Sequence, residues 1–305
     1  MLRIKKILFP TDFSKTSKYA LSHVAEFAVS LGAEVHLLHV RSENKARVPG
    51  QFEERMAELK REIGSYPRVG SAQPLTLIAH KVTDVAPGHA IVEYAAKQRI
   101  DLIIFSTHGR RGIQRFFLGS VAEEVARSAP CSVVTVREAV SPDKDPSYRN
   151  IVVAVDFSLF SHDAVRCGAA LAKLFGSQLH LLYVIDAEIP SIIYSVGRRS
   201  LMDLIPDLEE KAKKALGDLA NELDCEDAKI HLSRGHVHRQ IEKFVNRHRV
   251  DLLVIASHGS LGGKQYVMGS VAQMVIHYSS CPVLTLRSFG RPLITPDSQP
   301  PGDAG

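Results

Sequence analysis

The chain has 305 residues, 45% of them hydrophobic and 23% charged, with a formal net charge of +5. At about 100–200 residues per domain this predicts two domains of ordinary globular composition, and no apolar run is long enough to cross a bilayer as a helix. The basic residues are scattered rather than striped, which argues against a nucleic-acid partner. Cys131, Cys167, Cys225 and Cys281 show no C-x-x-C spacing, which argues against a zinc knuckle or a disulfide framework.

The chain opens on "MLRIKKILFPTDFS", basic but with an apolar part of only a few residues. That is a strand rather than a signal peptide, so a cytoplasmic protein is expected, with its cysteines as small buried hydrophobes. "KKILFP" is the first strand. Ser14 then offers an N-cap, Leu21, Val24, Ala28 and Leu31 follow at helical spacing, and Gly32 closes the helix. "EVHLLHV" is the second strand, "FEERMAELKREI" a charged helix and "LTLIAHKV" the third strand. "AIVEYAAKQR" is helical, "DLIIFS" is a nearly all-apolar strand, and a Gly-spaced loop leads to the helix "VAEEVARSA" and the last strand "CSVVTVR". Strands alternating with helices, several apolar on both faces, predict a parallel five-stranded sheet covered on both sides.

The second half repeats the first. Residues 101–137 and 251–287 align without a gap, with 14 identities in 37 pairs. "ILFPTDFS" matches "IVVAVDFS" at an offset of 144, whereas the later match has an offset of 150. Six extra residues therefore fall between Val184 and Arg234. The expected division is one unit over 1–140, a second over 148–288, and a Pro- and Gly-rich tail over 289–305 expected to be disordered. The boundary lies in the polar "EAVSPDKDPSYRN" of 138–150.

The duplicated loop carries the chemistry. "STHGRRGIQRFFLGS" (106–120) and "ASHGSLGGKQYVMGS" (256–270) each join an apolar strand to a helix. Ser120 with Glu123, and Ser270 with Gln273, fit a capping box, which sets Gly119-Ser120 and Gly269-Ser270 at helix N-termini. Such an end offers unpaired N–H groups and the positive end of the helix dipole, and glycine lets a phosphate approach the backbone. A phosphate cradle is one reading; glycines that only turn the chain and serines that only cap are the other. The loop is not a Walker loop, lacking Gly-Lys-Ser/Thr, and its glycines follow the fourth strand, unlike those of a dinucleotide fingerprint.

These residues resemble the universal stress protein family in its tandem two-domain form. The family signature is Gly, two residues, Gly, nine residues, then Gly-Ser or Gly-Thr. Here Gly109…Gly119-Ser120 and Gly259…Gly269-Ser270 match it, as do "PTDFS" and "AVDFS" at the first strand. Both copies depart at the first Gly, which is Ser106 in one and Ala256 in the other, each adding a Cβ near a ligand's path. The similarity spans nearly all of residues 3–288. It implies an α/β fold class of two doubly wound, parallel five-stranded domains of the adenine nucleotide alpha hydrolase type. It further implies an adenine nucleotide, ATP or else ADP or AMP, held across the strand ends. Carried over, Pro10, Thr11 and Asp12, and Val155 and Asp156, lie near adenine or ribose, and Val40 and Val184 offer backbone groups to the base. Ser106, Thr107, His108 and Gly109, with Gly119, Ser120, Val121 and Ala122, surround the phosphates. Ala256, Ser257, His258 and Gly259, with Gly269, Ser270, Val271 and Ala272, do so in the second copy. Mg²⁺ would bridge phosphate oxygens, with no metal held by protein alone. Asp12 could instead simply cap the following helix. The resemblance also implies that the two units pair through their last strands about a pseudo-twofold axis, and it leaves a homodimer open.

Other signals are weaker. Arg110, Arg111 and Arg115 would favour the first site if they faced phosphate, but solvated surface charge is the commoner fate, and they receive no role. "HVHRQ" (236–240) lacks a companion Cys or carboxylate for a metal. His36 and His39 point to opposite faces of their strand. No catalytic motif is present, and fast ATP hydrolysis would need positioned cations and a water-orienting group. The leading reading is thus a nucleotide-binding stress protein that signals by binding. An interaction protein with degenerate pockets and a slow ATPase are the alternatives.

Overall fold

A computed structural model describes residues 2–41, 50–66, 69, 75–107, 118–137, 146–186, 207–258, 268–287 and 291–294. The first unit comprises β1 (Lys6–Pro10), α1 (Leu21–Leu31), β2 (Glu34–Arg41), α2 (Gln51–Gly64), β3 (Leu77–Thr83), α3 (Pro87–Lys97), β4 (Leu102–Ser106), α4 (Ser120–Ser128) and β5 (Ser132–Val136). The second repeats the order as β6 (Asn150–Val155), α5 (Leu159–Phe175), β7 (Gln178–Ile185), α6 (Leu208–Glu222), β8 (Lys229–Arg234), α7 (Val237–His248), β9 (Leu252–Ala256), α8 (Ser270–Tyr278) and β10 (Val283–Leu286).

Local chemistry sets these boundaries. In α1 the buried positions Leu21, Val24, Ala25, Phe27 and Ala28 form one apolar face, and Gly32 ends the helix at φ 62°, where a Cβ would be strained. Gly176 closes α5 in the same way at φ 67°. The N-terminal starts differ between the copies. Ser158 caps α5 directly, its side chain accepting from the Ser161 N–H. Ser14 instead accepts from the Ser17 N–H at 3.1 Å and opens a 3₁₀ turn, Ser17–Ala20, that runs into α1.

The strands form one ten-stranded sheet in the order β3-β2-β1-β4-β5-β10-β9-β6-β7-β8. Pairing is parallel within each unit, and antiparallel between β5 and β10, where Val134 faces Leu284. The last strands are therefore interior, and β3 and β8 are the outer edges, as the implied pseudo-twofold pairing requires. One face carries a core continuous across both units, contributed by α1, α2, α5 and α6; the other carries a separate core in each half.

Two further contacts join the units. Tyr148, just before β6, lies between Phe27 and Phe175, with ring centroids 5.5 and 4.6 Å away. Its hydroxyl meets His23 Nδ1 at 2.6 Å, and burial holds that imidazole neutral, its pKa lowered to about 4. The Arg287 guanidinium donates to the Ala126 and Arg127 carbonyls at the C-terminal end of α4, where a cation complements the helix dipole.

The expectation of a disordered tail is corrected over Arg291–Ile294. Ile294 bridges Leu2, the Arg3 N–H donates to the Leu293 carbonyl at 2.7 Å, and Leu293 is buried. Arg291 donates to the Arg99 carbonyl at 2.8 Å and to Asp101 Oδ1 at 3.0 Å, while Asp101 Oδ2 accepts from the Lys5 and Lys6 N–H groups. Two apolar residues and one arginine thus find partners that the surrounding Pro and Gly conceal. The rest of the expected tail lies outside the described residues.

Candidate functional site

In each half the strand order reverses direction beside the first strand. β1 has β2 on one side and β4 on the other, and β6 likewise has β7 and β9. The carboxyl ends of these strands therefore open a crevice at the topological switch point, where open α/β sheets take ligands.

Register determines what β2 offers there. Pro10 is level with Leu38, and the last rung is the Thr11 N–H donating to the Leu38 carbonyl at 2.8 Å. Alternate residues of a strand face alternate neighbours. The Arg41 carbonyl is taken from the β3 side, by the Asp84 N–H at 3.0 Å. The N–H and C=O of Val40 therefore face the β1 side, beyond the point where β1 has ended. Val184 is in the same position, with the Ile185 carbonyl engaged from the β8 side by the Gly235 N–H at 3.0 Å.

The residues after β1 form a compact turn. Asp12 Oδ1 accepts from the Ser14 N–H at 2.9 Å, an Asx turn ahead of the 3₁₀ turn rather than a cap of the helix. Asp156 Oδ1 accepts from both the N–H and the hydroxyl of Ser158, at 3.0 and 2.6 Å. The Thr11 hydroxyl accepts from the Phe13 N–H at 3.0 Å, and the Thr11 carbonyl is 2.8 Å from His39 Nδ1. Phe13 and Phe157 adopt φ 59° and 60°, a strained left-handed conformation for such bulky residues. Each ring packs on the second strand, Phe13 on His39 at 4.5 Å and Phe157 on Tyr183 at 4.8 Å. This duplicated strain has no local sequence signal.

The capping-box expectation is corrected. Gly119, in extended conformation at φ −63° and ψ 146°, is the N-cap of α4, and no side chain among the described residues caps the helix. The Gly119 N–H donates to the Thr107 carbonyl at 3.0 Å, and its own carbonyl accepts from the Glu123 N–H at 2.9 Å. The helix thus begins one residue earlier than the Ser-x-x-Glu spacing implies, because a long-range acceptor fixes the glycine. Gly269 does the same through the Ser257 carbonyl at 2.8 Å and the Gln273 N–H at 3.0 Å. In consequence the first-turn N–H groups of Ser120, Val121 and Ala122, and of Ser270, Val271 and Ala272, have no acceptor among the described residues. Ser120 is exposed at the helix start.

The two departures from the signature fall at the strand ends. Ala256 joins Leu252 and Val254 in the core on the α5 side of the sheet. Ser106, level with Val136, alternates with Ile104 and Leu102 on the same side in the first unit. The Ser257 hydroxyl is 2.8 Å from His258 Nδ1, and both residues are buried. His108, Gly109 and Gly259 lie outside the described residues, as do Arg110, Arg111 and Arg115. Among the described residues no group of three His, Cys, Asp or Glu side chains could hold a metal, and no helix is long and apolar enough to cross a membrane.

Two doubly wound units sharing one sheet, each with a glycine-led helix start at its switch point, define a tandem α/β protein. A model of the universal stress protein family matches residues 3–137 and again 147–287, and the chain belongs to that family. Universal stress protein MJ0531 of Methanocaldococcus jannaschii is 34% identical over 140 residues, covering 44% of this chain and 82% of its own length. Over both units the fold is similar to two solved structures. The functionally unknown protein PA1789 of Pseudomonas aeruginosa PAO1 has a TM-score of 0.69 at 16% identity, covering 93% of this chain and 92% of its own. A universal stress protein of Archaeoglobus fulgidus has a TM-score of 0.60 at 18% identity, covering 92% of this chain and 98% of its own.

Proposed function

We propose that each half holds an adenine nucleotide, ATP foremost, and that the protein serves in the stress response by binding and signalling rather than by rapid hydrolysis. The observation that carries this reading is a convergence repeated in both units. Amides at the start of α4 or α8 face the same crevice end as the main-chain groups of Val40 or Val184, and among the described residues neither set has a partner. Amides at a helix start suit phosphate, and an N–H beside a C=O suits the paired donor and acceptor edge of adenine. Asp12 and Asp156 would accept from ribose hydroxyls or meet Mg²⁺ carried by the phosphates, a hard cation that favours carboxylate and phosphate oxygens. Both carboxylates are already held by their Asx turns, which orients them without a ligand.

Freshly purified protein, denatured and analysed by mass spectrometry, should release ATP, ADP or AMP. If neither released nucleotide nor uptake by titration with ATP and Mg²⁺ is found, the interaction-protein reading replaces this one. Product formation on incubation, abolished by replacing Asp12 and Asp156, would instead identify a slow ATPase.

A further inference from the structure

Towards the amino ends of the strands, away from the crevice, both units carry one imidazole pair in different company. In the first unit His36 on β2 stacks on His80 of β3, with centroids 5.6 Å apart. Both of its ring nitrogens are engaged, Nδ1 with the Tyr94 hydroxyl at 2.8 Å and Nε2 with Glu34 Oε1 at 3.0 Å. His36, followed by Lys6, holds the Glu34 carboxyl below its usual range, so a counter-charge sits on this pair, while burial followed by His36 lowers His80.

At the repeat offsets of 144 and 150, the second unit replaces Glu34 with Gln178, Tyr94 with Phe244 and Gln98 with His248. His180 stacks on His231 at 5.1 Å, and His248 joins them at 6.1 and 5.4 Å while stacking on Phe244 at 4.1 Å. His180 Nδ1 is 3.0 Å from His231 Nε2, so one ring must be a neutral acceptor for the other. Among the described residues His180 Nε2 meets only an amide oxygen, Asn150 Oδ1 at 3.3 Å, and the Gln178 amide donates to the Leu179 and Asp227 carbonyls. The charged neighbour acting on both rings is Lys229 on β8. Asp251, which shares Asn150, is bound to the Arg149 and Asn150 N–H groups at 2.8 Å.

We propose that the His180–His231–His248 cluster is an acid-responsive element. Below neutral pH protonation of the His180–His231 pair, unmatched by any carboxylate bound to the rings among the described residues, loosens β8 and α7 from the sheet further than acid loosens β3 and α3, where Glu34 supplies a counter-charge. Burial, then His231, Lys229 and His248, lowers His180 to about 4, and burial followed by His248 and Lys229 lowers His231 as well. A folded-state value below the ordinary 6.5 means that the opened edge binds more protons. The edge is therefore fully held above about pH 6.5, and its hold weakens as pH falls towards about 4, where the folded edge also titrates. For His180 alone, the closed-to-open ratio falls about tenfold between pH 7.5 and 5.5.

The test is hydrogen exchange of the full chain at pH 7.5 and 5.5, corrected for intrinsic rates. Protection over 229–234 and 237–248 should fall about tenfold or more relative to 77–83 and 87–97. Gln178→Glu restores the counter-charge and His248→Gln restores the first unit's residue; each should shrink the response while leaving protection at pH 7.5 intact. Equal changes at the two edges, or a response undiminished in both variants, would overturn the proposal.

Discussion

Gly119→Ala separates what the fold needs from what a ligand needs. Gly119 has φ −63° and ψ 146°, a conformation open to any residue, and among the described residues an added Cβ would meet only the Thr107 carbonyl at 3.4 Å, an ordinary contact. Alanine is a poorer N-cap than glycine by up to about 1 kcal/mol, but it also restricts the unfolded chain by about 0.4–1 kcal/mol in the protein's favour. The two nearly cancel, so the thermal midpoint should move by only a few degrees. A phosphate lying against these amides would feel the new methyl directly. Loss of one hydrogen bond to a charged group is worth about 1.5–3 kcal/mol, or roughly a 10- to 150-fold weaker Kd. Calorimetric titration with ATP and Mg²⁺, alongside a melting curve, reads both quantities. A double variant, Gly119→Ala with Gly269→Ala, that takes up ATP with wild-type affinity would refute the placement of phosphate at the helix starts.

Three further outcomes follow from the packing. Leu284→Asp places a carboxylate opposite Val134 in the β5–β10 ladder, where both residues are buried; small-angle scattering should show the units separating, and unchanged compactness would contradict their pairing through these strands. Gly168→Ala drives a Cβ to 2.4 Å from Val153 Cγ2 and should destabilise by about 1–3 kcal/mol in denaturant unfolding, with partial recovery on adding Val153→Ala; simple additivity would argue against the clash. Leu293→Ala should cost about 2–5 kcal/mol if the segment after β10 is part of the core, and a silent substitution in calorimetry would show that it only rests on the surface.

Much of this fold was legible because its signals are local. Val24 and Ala28 ahead of Gly32 mark a helix and its end, and the apolar runs of β4 and β9 mark strands buried on both faces. The duplicated loop was legible as a helix start for the same reason. The identity of the cap was not, because the Thr107 and Ser257 carbonyls that hold the glycines come from outside any short window. Val40 illustrates a second limit. Nothing in its side chain marks it; its proposed role depends on where β1 stops, which is a matter of register, and only the family resemblance indicated it. Ser106 and Ala256 illustrate a third. Read as letters they interrupt a glycine signature, whereas strand parity sets them on the face of the sheet that carries the shared core. The imidazole cluster needed a comparison of the copies: His180 and His231 repeat His36 and His80, and the change lies in the residues around them.

The contacts of Tyr148 and Leu293 have a practical consequence. Neither belongs to the first 140 residues, yet one fills the space beside Phe27 and the other, buried, accepts from the Arg3 N–H through its carbonyl. A fragment cut at the apparent seam would leave both gaps open to water. Measurements on isolated halves would then report a damaged molecule, and dissection of the two sites calls for point substitutions in the intact chain.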